Sequence, residues 1–106
     1  MSDLIPFEEA KRTTGAVLIE FYASWCPHCQ RMMPIVENVR ELLGEMAPVY
    51  QYDIDRFPDA EEEAGIQSVP TFIIYDNGRE MWRHSGEISG DELIAQVQAV
   101  MSAYVD

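Results

Sequence analysis

Basic side chains are scarce in this sequence. Seven Lys and Arg stand against nineteen Asp and Glu, a formal net charge of −12 with a pI near 4.3. A polyanion of this kind repels phosphate backbones and anionic lipid surfaces, so neither nucleic acid nor a membrane is an expected partner. The acidity itself reads as solubility. Cysteine is scarcer still, with two in 106 residues, which excludes a disulfide-stapled secreted scaffold. Long apolar runs are missing too. Ala16–Ile19 is four residues, far short of the roughly 20 of a membrane-spanning helix. Residues 1–9 have neither the basic region nor the apolar stretch of a secretory signal, so a cytoplasmic location is expected. A mature form whose leader had been removed would read the same.

What is present is an ordinary globular composition, 47% hydrophobic and 25% charged. The length predicts one domain over residues 1–106, able to bury roughly 60–70% of its unfolded surface. Residues 4–13 read as a short helix, with Pro6 in its first turn and Thr13-Thr14-Gly15 ending it. Ala16–Ala23 is apolar with little alternation, as a central strand covered on both faces requires, and holds one acid, Glu20. From Cys26 to Met46, Met32, Met33, Ile35, Val36, Val39, Leu42 and Leu43 recur at helical spacing. Pro34 inside this helix should kink it. Val49–Ile54 reads as a second strand, and Pro58–Ala64 as an acidic helix capped by Gly65. Thr71–Tyr75 and Glu80–Ser85 flank Asp76-Asn77-Gly78-Arg79, a strong hairpin signal. A last helix runs from Ser89 to about Tyr104, Ser89 and Glu92 forming a capping box. The order α-β-α-β-α-β-β-α predicts a three-layer α/β fold, a small mixed sheet flanked by helices.

The chemistry concentrates at Ser24-Trp25-Cys26-Pro27-His28-Cys29. Both cysteines follow a buried strand and open a helix, where unpaired backbone N–H groups and the helix dipole favour thiolate. Pro27 suits the first helical turn, and His28 can add positive charge beside the first sulfur. The second sulfur lies one turn deeper, placed to attack a mixed disulfide formed on the first. Three plainer readings compete. Zinc wants four ligands, and only His28 and His84 could join the cysteines. An inert disulfide closing so short a loop would constrain the unfolded chain little. Two unrelated buried thiols would not account for Trp, Pro and the strand-to-helix placement. No metal and no bound cofactor are therefore expected.

Together with Val17–Ala23, Pro34, Asp53-Ile54-Asp55, Gly65-Ile66-Gln67-Ser68-Val69-Pro70-Thr71, the Asn77-Gly78 hairpin and Gly86, this segment resembles the thioredoxin superfamily from about Phe7 to Tyr104. The resemblance implies a thiol–disulfide oxidoreductase cycling between a Cys26–Cys29 disulfide and a dithiol. In it Cys26 is the exposed attacking nucleophile and Cys29 the buried resolving thiol. It also implies a cis Pro70 opposite the cysteines, with the Val69 backbone, Trp25 and Gly86 contacting substrate. Glu20 would be a buried acid of raised pKa that accepts the Cys29 proton. The implied partners are proteins bearing disulfides or dithiols and a reductase such as thioredoxin reductase, met by a monomer. Rival readings are a dithiol oxidase or isomerase outside the cytoplasm, and a non-catalytic binding module on the same fold.

Departures from the family are as informative. Pro27-His28 replaces the Gly-Pro of thioredoxins and is similar to the dipeptide of periplasmic oxidants, whose helical insertion has no room here. Gln51 stands where thioredoxins carry a lysine near the buried acid, removing a positive neighbour. Too few residues precede Ala16 for both a first strand and a first helix, so the sheet should have four strands ordered 49–54, 16–23, 71–75, 80–85.

Overall fold

A computed structural model describes residues 4–103. Its elements are α1 (Phe7–Lys11), β1 (Ala16–Tyr22), α2 (Pro27–Leu43), β2 (Val49–Asp53), α3 (Pro58–Ala64), β3 (Thr71–Asp76), β4 (Arg79–Ser85) and α4 (Gly90–Ser102). The sheet order is β2-β1-β3-β4, as the sequence predicts. β1 and β2 are parallel, with Glu20 opposite Gln51; β1 and β3 are antiparallel, with Glu20 opposite Phe72. β3 and β4 join through a two-residue turn, Asn77 at φ 51° and Gly78 at φ 87°. Both φ values are positive, which an Asn-Gly pair tolerates and the twist of a hairpin favours.

Side-chain alternation along β1 divides the core into two. Val17, Ile19 and Phe21 meet Phe7 and Ala10 of α1, Ala60 and Ala64 of α3, and Tyr52, Ile73 and Tyr75. Ala16 and Leu18 face the other way, onto Met32, Val36, Val39 and Leu43 of α2 and Leu93, Val97 and Val100 of α4. Helices thus cover both faces. By the same period of two, Glu20 points into the layer of α2, where its surroundings are apolar.

Two expectations are corrected, the start of the first helix and the end of α2. The first helix starts at Phe7, because Pro6 at its N-cap keeps an extended ψ of 149°. Ile5 instead presents its carbonyl to the Tyr52 hydroxyl at 2.6 Å. α2 stops before Met46 because Gly44 takes φ 55°, ψ −127°, a conformation that breaks the helical path and suits glycine. Met33 and Leu42 are 53% and 60% exposed, so the buried stripe of α2 is narrower than its apolar one. Pro34 lies inside α2 and the helix continues past it. Ser89 caps α4 by accepting from the Glu92 N–H at 3.1 Å; the expected end at Tyr104 falls outside the described residues. Among those residues no helix is long and apolar enough to cross a membrane.

Candidate active site

β1 delivers the chain to a short loop whose Ala23 carbonyl accepts from the Cys26 N–H at 3.2 Å. Cys26 is the N-cap of α2 with extended backbone, Pro27 occupies the first turn, and the Cys26 sulfur accepts from the Cys29 N–H at 3.4 Å. The cap position is usually filled by an oxygen-bearing side chain. Here a sulfur takes the unpaired amides of the helix end. The Val69–Pro70 bond is cis. It brings the Val69 carbonyl to 3.7 Å from the Cys26 Sγ, while the Pro70 carbonyl is taken by the Gly86 N–H at 2.8 Å. Five expected residues, Cys26, Cys29, Val69, Pro70 and Gly86, are therefore gathered at one end of the sheet. Both cysteines are free thiols.

Cys26 is not broadly exposed, contrary to expectation. It is 5% accessible and Cys29 1%. Cys26 is reached through a groove of about 300 Å³ lined by Trp25, Ile54, Glu61, Ile66 and the 67–69 loop. Trp25 is 64% exposed and fixed at the rim by donating its indole N–H to Asp55 Oδ2 at 2.8 Å. It lines the groove together with Cys26 and stays available to a partner.

The two thiols are driven apart in acidity. Burial raises the Cys26 pKa, but the Cys29 N–H, the Cys29 thiol, the His28 backbone N–H and the charge of Arg31 outweigh it, and the net shift is downward. Cys29 is pushed up to about 12, first by burial, against which the Ala23 N–H at 3.5 Å acts, then by its hydrogen bond to Cys26 and the nearby charges of Cys26 and Glu20. The pair therefore keeps its proton firmly on the deeper sulfur and gives it up more readily from the outer one.

Glu20 is 1% exposed, and burial lifts its pKa from 4.5 to about 7, against the opposing effects of Gln51 and Arg40. The missing lysine is compensated from another element. Arg40 of α2 donates through Nη2 to Gln51 Oε1 at 3.0 Å, and Gln51 Nε2 donates to Glu20 Oε1 at 2.9 Å. Because a guanidinium can only donate, it fixes which end of the Gln51 amide faces the acid. Glu20 therefore receives a donor that offsets part of the burial favouring its neutral form.

The His28 ring behaves differently from expectation. What reaches the sulfur from His28 is its backbone N–H. The ring turns outward, its Nδ1 2.6 Å from Glu87 Oε2. The same oxygen accepts from Arg31 Nε at 2.9 Å. Two of these residues, Arg31 and Glu87, and also Arg40, were not legible as site residues from spacing. Arg31 sits five positions after Cys26 on a helix, but Glu87 and Gln51 meet their partners only through the fold. Among the described residues, no three His, Cys, Asp or Glu side chains converge as a metal-ligand set.

Comparison with known proteins agrees with this geometry. A family model described as thioredoxin matches residues 6–99. A chloroplastic thioredoxin Y of Oryza sativa subsp. japonica is 34% identical over 94 residues, which is 89% of this chain and 56% of that protein. The thioredoxin of Alicyclobacillus acidocaldarius is 30% identical over 95 residues, 90% of each. The chain thus spans about half the length of the chloroplastic relatives it matches. Among solved structures, a mutant thioredoxin of Halobacterium salinarum NRC-1 superposes with a TM-score of 0.80 at 26% identity, covering 89% of this chain and 81% of that one. With Cys26 of a CxxC pair lining the groove, a cis Val69–Pro70 bond and a family match over residues 6–99, the chain belongs to the thioredoxin family.

Proposed function

We propose that this chain, as a single domain and a monomer in the cytoplasm, reduces protein disulfides with Cys26 as attacking thiolate and Cys29 as resolving thiol. The carrying observation is the Cys26 sulfur at the N-cap of α2, its pKa lowered, beside a Cys29 held protonated near 12. Cys26 thiolate attacks one sulfur of a substrate disulfide, forming a mixed disulfide and expelling the first substrate thiolate. Cys29 then loses its proton to ionised Glu20 and attacks the Cys26 sulfur, forming the Cys26–Cys29 disulfide and expelling the second thiolate. A reductase such as thioredoxin reductase restores the dithiol. Substrate lies in the groove between Trp25 and Val69-Pro70, with Gly86 behind; no bound cofactor or metal is required. Insulin with excess dithiothreitol tests the reading: the parent should accelerate precipitation of the released B chain, and Cys26→Ser should not exceed the uncatalysed rate. A parent as slow as Cys26→Ser would leave a non-catalytic binding module.

Pro27 and His28 tune the couple. An amide of residue 28 that donates to Cys26 disappears if that residue becomes proline. Hydrogen bonds to charged groups are worth about 1.5–3 kcal/mol, so Pro27→Gly with His28→Pro should raise the Cys26 pKa by about one to two units and make the potential more reducing. Titration of thiolate absorbance checks this; an unchanged Cys26 pKa would remove the dipeptide as the tuning element.

A further inference from the structure

Glu87 stands in the loop after β4, next to Gly86, and faces the first turns of α2 across the site. Its Oε2 lies 2.6 Å from His28 Nδ1, 2.9 Å from Arg31 Nε and 2.8 Å from Arg31 Nη2. A separation of 2.6 Å from a carboxylate oxygen requires a proton on Nδ1, so His28 donates there. The Arg31 Nη2 atom 2.9 Å from the same Nδ1 is then a neighbour drawn in by the shared acceptor, since two donors do not bond each other. One carboxylate thus anchors both His28 and Arg31, which the first two turns of α2 bring to this rim.

We propose that Glu87 is a positioning residue that holds Arg31 and His28 and offsets the charge of Arg31, so that the Cys26–Cys29 couple is less oxidising than its Pro-His dipeptide alone would make it. This rests on the redox reading of the cysteine pair. Positive charge near Cys26 stabilises its thiolate, hence the reduced form, and a stabilised reduced form makes a stronger oxidant. Arg31 is the cation whose field reaches the Cys26 sulfur. Its charge is opposed at contact distance by Glu87, whose own pKa is drawn down to about 2, first by the hydrogen bond from Arg31 and then by that from His28. The carboxylate therefore stays ionised at every pH at which the thiol titrates. Its side chain is 37% exposed, so the offset is screened by solvent and modest, and replacing it leaves the core untouched.

The test is equilibration of the parent and Glu87→Gln with glutathione buffers at pH 7, reading the ratio of dithiol to disulfide. Gln keeps a carbonyl oxygen for Arg31 and His28 and removes only the charge. The equilibrium should move roughly threefold toward the dithiol, about 15 mV for a two-electron couple. Arg31→Gln should move it the opposite way. In an Arg31→Gln, His28→Gln background, Glu87→Gln should lose most of its effect, because the residues it acts through are gone. The shift should also contract in 1 M salt, where the Debye length is about 3 Å. A Glu87→Gln equilibrium equal to the parent's, or shifted toward disulfide, overturns the proposal, as does an undiminished shift in the doubly substituted background. A parent that forms no Cys26–Cys29 disulfide in any buffer would instead overturn the redox reading itself.

Discussion

Cys29→Ser should accumulate covalent adducts in which Cys26 is joined to a substrate cysteine, while Cys26→Ser accumulates none. The expectation follows from where the two sulfurs lie. Cys26 caps α2, lines the groove and has a lowered pKa; Cys29 sits behind it, 1% exposed and held protonated. Serine in place of Cys29 still fits the deep position but cannot open a disulfide. Release then waits on an outside thiol. A neighbouring thiol with an effective concentration of even about 1 M outruns 1 mM of external thiol by about 10³-fold. Turnover of Cys29→Ser should fall by that order, with the adduct visible by non-reducing electrophoresis and mass. Equal trapping by the two variants, or trapping by Cys26→Ser alone, would reverse the assignment of attacker and resolver.

Glu20→Gln should make the protein more stable in alkali and slower in its second chemical step. Burial raises the Glu20 pKa from 4.5 to about 7, so the folded state binds this proton more tightly than the unfolded chain. Stability contributed by protonated Glu20 is present in full below about pH 4.5 and is lost as pH rises to about 7. At about 1.4 kcal/mol per unit, the loss is on the order of 3 kcal/mol. Glutamine does not titrate. Denaturant unfolding should therefore show the variant gaining on the parent between pH 4.5 and 8 by an amount of that order, less whatever its hydrogen bond to Gln51 changes. In the same range, resolution of the mixed disulfide should slow, because the base that takes the Cys29 proton is gone, while the first attack by Cys26 stays near the parent's rate. A gain in stability that does not vary with pH would mean that Glu20 binds its proton equally well folded and unfolded, and that burial does not raise its pKa.

The strand order, the hairpin and the cysteine loop were legible because each is written locally. Apolar β1 between turn residues, Asn77-Gly78 between two β-prone runs, and Cys26 opening an amphipathic helix all state themselves within about ten residues. Glu20 was legible for the opposite reason, as the one acid inside an apolar strand. The tuning residues were not. Glu87 meets His28 across 59 positions and Arg31 across 56, and no period in the sequence connects them; Gln51, 31 positions from Glu20, was placed near the acid only by the family resemblance. The outward turn of the His28 ring was likewise invisible, because only the folded loop after β4 supplies the carboxylate that draws it away from the sulfur. Met33 and Leu42 marked the helix correctly but lie exposed: hydrophobicity at helical spacing marks a face, and the packing beneath decides how much of it is covered.

Arg40 also carries a second duty, set by where β2 lies. β2 is the outermost strand on its side of the sheet. The bonds Leu18 N–H to Pro48 O and Ile54 N–H to Tyr22 O put the even-numbered residues of this stretch toward β1, so the peptide groups of Val49, Gln51 and Asp53 face outward. Such a row is a template onto which another chain can add a strand. The Arg40 Nη2 that orients Gln51 also donates to the Val49 carbonyl at 3.0 Å, closing the first outward acceptor. Proton chemistry and resistance to aggregation therefore share one guanidinium, and a substitution at Arg40 made to retune the acid would at the same time uncover an adhesive margin.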